Sequence, residues 1–319
     1  MLNRRTWLLS SFAGALGACG GGSSSGDAPA PPPVAGTPPA PAPGPAPSPG
    51  PAPSPSPAPA AQKSAKRGIA YDLADPADLA ALASGVSWFY NWSDRPNAAI
   101  GDAALQAASA DFIPMLWNGN FDAARVAAYL AAHPRVRHLL VLNEPNLTDQ
   151  SNLTPAQAAA LWPQYEAVAS AAGVQLVGPA ITWGTMANYA DPVAWLDAFY
   201  ASYRQQHGGQ DPRIDSLAFH WYDYGLAGQL DRLAKYGKPF WVTEFANWHA
   251  QNDGAQIDTV AKQKAQMTEM VAVCEGRADV QRYAWFTGRW NNDSHHTALL
   301  AGSGALTELG AHYLTLPYA

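Results

Sequence analysis

From Arg67 onward the sequence alternates short runs rich in β-branched and aromatic residues with longer alanine-rich stretches, and few architectures accept that rhythm. Eight runs recur: "GIAYD" (68–72), "VSWFYNW" (86–92), "FIPMLWN" (112–118), "HLLVLNE" (138–144), "VQLVGPAI" (174–181), "SLAFHWYD" (216–223), "FWVTEFA" (240–246) and "VQRYAWFT" (280–287). Between them lie helical patterns such as "DAARVAAYLAAH", "TPAQAAALWPQYEAVASAAG" and "TVAKQKAQMTEMVAVCEG". Thr154 followed by Pro155 reads as an N-cap with proline at the first helical position. Strands separated by helices imply parallel βαβ units. Eight such units in about 255 residues predict an α/β fold, a single (β/α)8 TIM barrel. A doubly wound open sheet is the alternative. It would want a glycine-rich phosphate loop after its first strand, and "GIAYDLADP" is not one.

The chain before this domain has a different character. Residues 1–19, "MLNRRTWLLSSFAGALGAC", have a basic start, an apolar middle and small residues before a cysteine, the pattern of an export signal. Arg4-Arg5 also fits a twin-arginine signal. The run "LGAC" resembles a bacterial lipoprotein cleavage box, which predicts lipidation of Cys19 and a membrane anchor there. Gly20-Gly21-Gly22-Ser23 follows, without an Asp beside the cysteine; by resemblance to lipoprotein sorting this implies the outer membrane, facing the periplasm or the cell surface. If the box is unused, secretion is expected. Residues 20–62 turn from Gly/Ser-rich to Pro/Ala-rich and cannot bury a core, so they read as a semi-rigid spacer. Residues 63–319 are left as one folded domain, expected to be monomeric. With Cys19 acylated, Cys274 has no intrachain partner and reads as a small buried hydrophobe. A net charge of −6 without any Lys/Arg run argues against nucleic acid as a partner.

In a barrel of this kind function gathers at the C-terminal ends of the strands. Those ends carry Tyr71-Asp72, Tyr90-Asn91-Trp92, Trp117-Asn118, Asn143-Glu144, Thr182-Trp183, His220-Trp221-Tyr222-Asp223, Glu244 and Trp285. Polar and aromatic residues are thus concentrated on one face. By alternation Leu140, Leu142 and Glu144 share a strand face, as do Phe240, Val242 and Glu244. One glutamate ending a strand is most often a solvated or capping acid. Two in register, among aromatic rims, are what glycoside hydrolysis requires: one acid to protonate the leaving oxygen, the other to attack or to activate water. The twelve tryptophans fit the same chemistry, because sugars present flat C–H faces that pack on aromatic rings. About half are expected in the core. Those at or just beyond strand ends (Trp92, Trp117, Trp183, Trp221, Trp248, Trp285 and Trp290) are the binding candidates, rather than Trp162 and Trp195 within helices.

"NEP" ending the fourth run, "HWY" on the sixth, Glu ending the seventh and Trp ending the eighth resemble the clan A retaining glycosidases. The fuller set "WFYNW", "PMLWN", "VLNEPN", "FHWYD" and "FWVTEFA" resembles glycoside hydrolase family 128, single-domain barrels acting on β-1,3-glucans. The resemblance implies Glu144 as general acid/base and Glu244 as nucleophile. It implies Asn143 as the amide on a sugar hydroxyl, Tyr222 as hydrogen-bond donor to the nucleophile, and His220 as its partner. Trp285 would be the platform under the cleaved sugar, with Trp117, Trp92 and Tyr90 lining the site. Many clan members carry an arginine near the nucleophile on the second strand, where this chain has Tyr90-Asn91-Trp92. The expected activity is hydrolysis of a laminarin-like β-1,3-glucan with retention, and no cofactor or metal is implied. A catalytically weak carbohydrate-binding barrel, or a glycosidase or transglycosylase of the same clan acting on another β-glucan, are the alternatives. Metallo- and serine-hydrolase readings lack their motifs, HExxH and GxSxG.

Overall fold

A computed structural model of the protein describes residues 63–318; the segments expected to be an export signal and a spacer, and Cys19 with its expected lipidation, fall outside the described residues. Within this span run nine strands: β1 (Arg67–Ala70), β2 (Trp88–Tyr90), β3 (Asp111–Phe112), β4 (Met115–Leu116), β5 (His138–Val141), β6 (Gln175–Ile181), β7 (Ser216–Trp221), β8 (Phe240–Phe245) and β9 (Val280–Trp285). They form one sheet in the order β3-β2-β1-β9-β8-β7-β6-β5-β4, and every named pairing is parallel. Its two outermost members, β3 and β4, are halves of one segment. The N–H of Ile113 donates to the Phe89 carbonyl at 2.9 Å on one side, and the Pro114 carbonyl accepts from Leu140 at 3.0 Å on the other. The sheet therefore curls back on itself into a barrel-like form.

The third run of the sequence is expected to be one strand, and it is two. Pro114 has no N–H to give to a ladder, so the pairing breaks there and resumes at Met115. The eight helices follow in alternation: α1 (Pro76–Leu82), α2 (Asp102–Ala108), α3 (Ala123–Ala132), α4 (Pro155–Ala172), α5 (Pro192–Gln206), α6 (Leu226–Leu233), α7 (Val260–Gly276) and α8 (Glu308–Thr315). Thr154 caps α4 in a full capping box with Gln157, and Pro155 stands in the first turn. Asp75, Asp122, Asp191, Thr259 and Thr307 cap α1, α3, α5, α7 and α8 through their side chains.

Side chains from the sheet fill the interior, and a second apolar layer lies under the helices. Trp88 and Trp241 meet edge to face at 5.1 Å. A Cβ on Gly68 would lie 2.4 Å from the Trp88 indole, so only glycine leaves room for that ring. In the outer layer Phe199 of α5 packs on Trp162 and Trp195, at 5.0 and 5.3 Å. Cys274 on α7 is fully buried.

Candidate active site

The fourth run leaves regular strand geometry earlier than alternation predicts. β5 ends at Val141, and both Leu142 (φ 61°) and Glu144 (φ 43°) adopt the left-handed region. Leu142 is fully buried, and Asn143 bridges to Ala180 of β6. The Glu144 N–H donates to the Ala180 carbonyl at 2.8 Å. Glu144 is thus turned into position by two strained residues, itself and Leu142, each about 1–3 kcal/mol above the usual basins.

Glu244 arrives by a different irregularity. On β8, Val242 pairs with Tyr283 and Phe245 with Trp285, three residues along one strand against two on the other. Toward β7, Phe219 pairs with Val242 and His220 with Glu244, again leaving one extra residue, Thr243. The bulge at Thr243–Glu244 re-aims the carboxylate, a common device beside active sites.

The two glutamates converge on His220, which like them is buried. Its Nδ1 lies 2.8 Å from Glu144 Oε1 and 3.4 Å from Glu244 Oε2, while Nε2 is 2.9 Å from Thr243 Oγ1. Nδ1, facing two carboxylates, is placed to donate, and Nε2 faces the Thr243 hydroxyl. One oxygen of each carboxylate and a His220 nitrogen all lie within 4.8 Å of one another.

Donors crowd Glu244. Trp92 Nε1–H donates to Oε1 at 2.8 Å, the Tyr90 hydroxyl donates to Oε1 at 3.1 Å, and the Tyr222 hydroxyl donates to Oε2. Burial, and then the charge of Glu244, push the Tyr90 phenol well above its ordinary value, so it remains a donor throughout the neutral range. The trio of Glu144, His220 and Glu244 is also a donor set that could hold a metal ion. The N–H and O–H groups aimed at Glu244 present positive hydrogens to the oxygens a cation would take, which favours proton-handling chemistry.

Asn143 is 2 % exposed; its Nδ2 donates to Gln150 at 3.2 Å and its Oδ1 has no hydrogen-bond partner among the described residues. Trp117 is half-buried at the end of β4 and touches the site through its carbonyl, which accepts the Asn143 N–H at 2.9 Å. Seven of the sequence-derived residues therefore fall around one carboxylate pair: Glu144, Glu244, His220, Tyr222, Tyr90, Trp92 and Asn143.

Trp285 does not join them. It is fully buried, donates its N–H to the Thr297 carbonyl at 2.8 Å, and packs on Phe245 and on Tyr313 of α8. Alternation explains the correction: Tyr283 and Trp285 point toward the helix layer, and Phe286, one residue on, points the other way. Phe286 contacts Trp92, Tyr222, Trp248 and Trp290 at ring distances of 5.3 to 5.9 Å, and the peptide bond following it is cis. Trp248 stacks on Tyr222 at 4.1 Å. Phe286 is the residue missed from the sequence, and the signal for it was the strand period.

Residues 68–313 match the family model described as the glycosyl hydrolase catalytic core. A family 128, subgroup II endo-β-1,3-glucanase from Pseudomonas viridiflava is 59 % identical, with a TM-score of 0.80, covering 81 % of this chain and all of that one. One of the same subgroup from Sorangium cellulosum is 34 % identical, with a TM-score of 0.68, covering 79 % of this chain and 99 % of that one. Alkali-sensitive linkage protein 1 of Schizosaccharomyces pombe is 28 % identical over 267 residues, 79 % of this chain but only 45 % of the length of that relative. The chain belongs to the glycosyl hydrolase catalytic-core family and, within it, to glycoside hydrolase family 128.

Proposed function

We propose that the protein hydrolyses β-1,3-glucan with retention of anomeric configuration, through a glycosyl-enzyme on Glu244. The observation that carries this is the asymmetry of the pair. Three hydrogen-bond donors converge on Glu244, the environment of an anionic nucleophile, whereas Glu144 meets the imidazole of His220. Glu144 donates a proton to the leaving oxygen while Glu244 attacks the anomeric carbon. It then takes a proton from water as that water releases the sugar. Oxygens of the two carboxylates within 4.8 Å suit direct attack, which wants carboxyl groups about 5–5.5 Å apart; interposing a water for inversion wants roughly 6.5–9.5 Å. His220 stands between the two carboxylates, closer to Glu144 than to Glu244. The buried Asn143 Oδ1 is an acceptor for a sugar hydroxyl, and the rings of Trp92, Phe286 and Trp248 line the approach. Solved relatives at 59 % and 34 % identity are endo-β-1,3-glucanases, and another subgroup of the family, 26 % identical, holds laminaritriose; these support β-1,3-glucan as substrate and internal cleavage as the mode.

The framework proposed for this site is a closed (β/α)8 barrel, with β3 and β4 counted as one strand across Pro114. We also propose the domain boundary at residue 63 and export with lipidation on Cys19, supported by the signal-like and spacer-like segments before it. Palmitate labelling that disappears in Cys19→Ser supports the anchor, and unlabelled wild-type protein in the membrane-free fraction refutes it.

The catalytic reading is tested with azide. Glu244→Gly is expected to be inactive on laminarin and to be rescued by azide with a glycosyl azide of inverted configuration. A rescued product of retained configuration would assign Glu244 as the acid/base instead. Reducing-sugar release from laminarin by the wild type, lost at least 1000-fold in Glu144→Gln (about 4 kcal/mol of barrier), separates the hydrolase from a binding-only barrel.

A further inference from the structure

Only two large hydrophobic side chains are exposed among the described residues, and one of them, Trp183 at 45 %, stands at the strand-end rim. Single exposed apolar residues are ordinary on protein surfaces. This one is not loose. Its indole N–H donates to Gln229 Oε1 at 2.9 Å, and the Arg232 guanidinium lies 5.1 Å from the ring centroid. Arg232 is itself tied to Asp191, the N-cap of α5, at 2.6 Å. Gln229 and Arg232 both belong to α6, so a helix three elements further on fixes the ring in one orientation.

The backbone under Trp183 is pinned as firmly. Asn146, fully buried, donates to the Thr182 carbonyl at 2.6 Å, and its own carbonyl accepts from Thr185 and Met186, both at 3.0 Å. A Cβ on Gly184 would stand 2.1 Å from that carbonyl oxygen, so the close approach needs glycine. An apolar ring held rigid in the free protein loses little side-chain entropy when a ligand lies on it. Its π face attracts the weakly positive C–H face of a sugar.

Position along the barrel sets which sugar. Trp183 follows β6, and β6 is the strand whose Ala180 holds the backbone of Glu144; Glu244 lies on β8, two strands away. The group protonated by Glu144 is the departing one. We infer that Trp183 is an outlying subsite for the leaving-group side of the glucan chain, a pyranose ring stacking on the indole face that Arg232 leaves open. The inference rests on the hydrolase reading above and adds to it a dependence on chain length.

The experiment compares kcat/KM of the full chain on laminarihexaose and on an aryl β-laminaribioside, whose leaving group carries no sugar. In Trp183→Ala the ratio of the two is expected to fall about tenfold, and Trp183→Phe is expected to restore most of it. An unchanged ratio overturns the proposal, and so does a loss confined to the aryl substrate, which would put the ring on the other side of the cleaved bond. Wild-type protein inactive on both substrates would sink the hydrolase reading itself. Because the ring is half in solvent, thermal unfolding of Trp183→Ala should stay near wild type, which separates lost binding from lost folding.

Discussion

Tyr222 is one of three donors that hold Glu244, the proposed nucleophile. Its hydroxyl donates to Glu244 Oε2, and its ring is clamped between Trp248 and Phe286. A hydrogen bond to a charged group is worth about 1.5–3 kcal/mol, so Tyr222→Phe is expected to lower kcat roughly 10- to 100-fold. KM should change little, since the phenol acts on the carboxylate; a mutant with wild-type kcat would remove Tyr222 from the mechanism. The carboxylates themselves were legible, because each closes an apolar run and the two runs have the same form. What alternation could not give is how they reach the site. Glu144 depends on left-handed backbone at Leu142 and at its own position, and Glu244 on the extra residue Thr243, and both break the period from which they were read. Trp285 failed for the opposite reason: β9 is regular there, and strict alternation turns it outward and brings Phe286 to the rim.

Between elements, one histidine joins two loops at the rim. His249, in the loop between β8 and α7, places Nδ1 3.0 Å from Asp223 in the loop after β7, and Nε2 2.9 Å from Asp253. Tyr224 meets the imidazole edge-on at 5.4 Å, and Trp248 beside it carries the stack on Tyr222. The hydrogen bond to Asp253 raises the His249 pKa, with the charges of Asp223 and Asp253 adding and partial burial opposing. A pKa raised on folding means that the protonated form stabilises the folded loops. That stabilisation is complete below the unfolded value near 6.5 and is lost as pH climbs through the raised folded value. The unfolding midpoint of the wild type should therefore decline above about pH 6.5 more steeply than that of His249→Asn. Parallel curves for the two proteins would show that the tie carries no charge. Nothing in the sequence marked this clamp, since Asp223 belongs to a different loop from His249 and Asp253, and the lengths of the two loops carry no periodic signal.

At the scale of the folded domain, the rhythm of eight runs was enough to read parallel strands and alternating helices, while the junction of the first strand with the last depends on contacts between the two ends of the domain. Arg67, 1 % exposed at the start of β1, makes that junction. Its guanidinium donates to the carbonyls of Tyr313 at 2.8 Å and Leu316 at 2.7 Å, and Nε donates to the Tyr283 hydroxyl at 2.9 Å. Glu275 of α7 lies 3.8 Å away. The first strand, the last strand and the last two helices thus share one buried cation, and it satisfies carbonyls that the end of α8 leaves without helical partners. Arg67→Met keeps much of the volume but strands those carbonyls and leaves Glu275 buried without its counter-charge. Breaking one side of a buried ion pair costs about 3–5 kcal/mol, which for a domain of this size lowers the melting temperature by roughly 6–20 °C. Adding Glu275→Gln should recover part of the loss by removing the orphaned charge. The active site lies at the opposite ends of the strands, so the fraction still folded at 20 °C should keep its kcat. A single variant that melts with the wild type would mean that the ends of the domain are held by apolar packing alone.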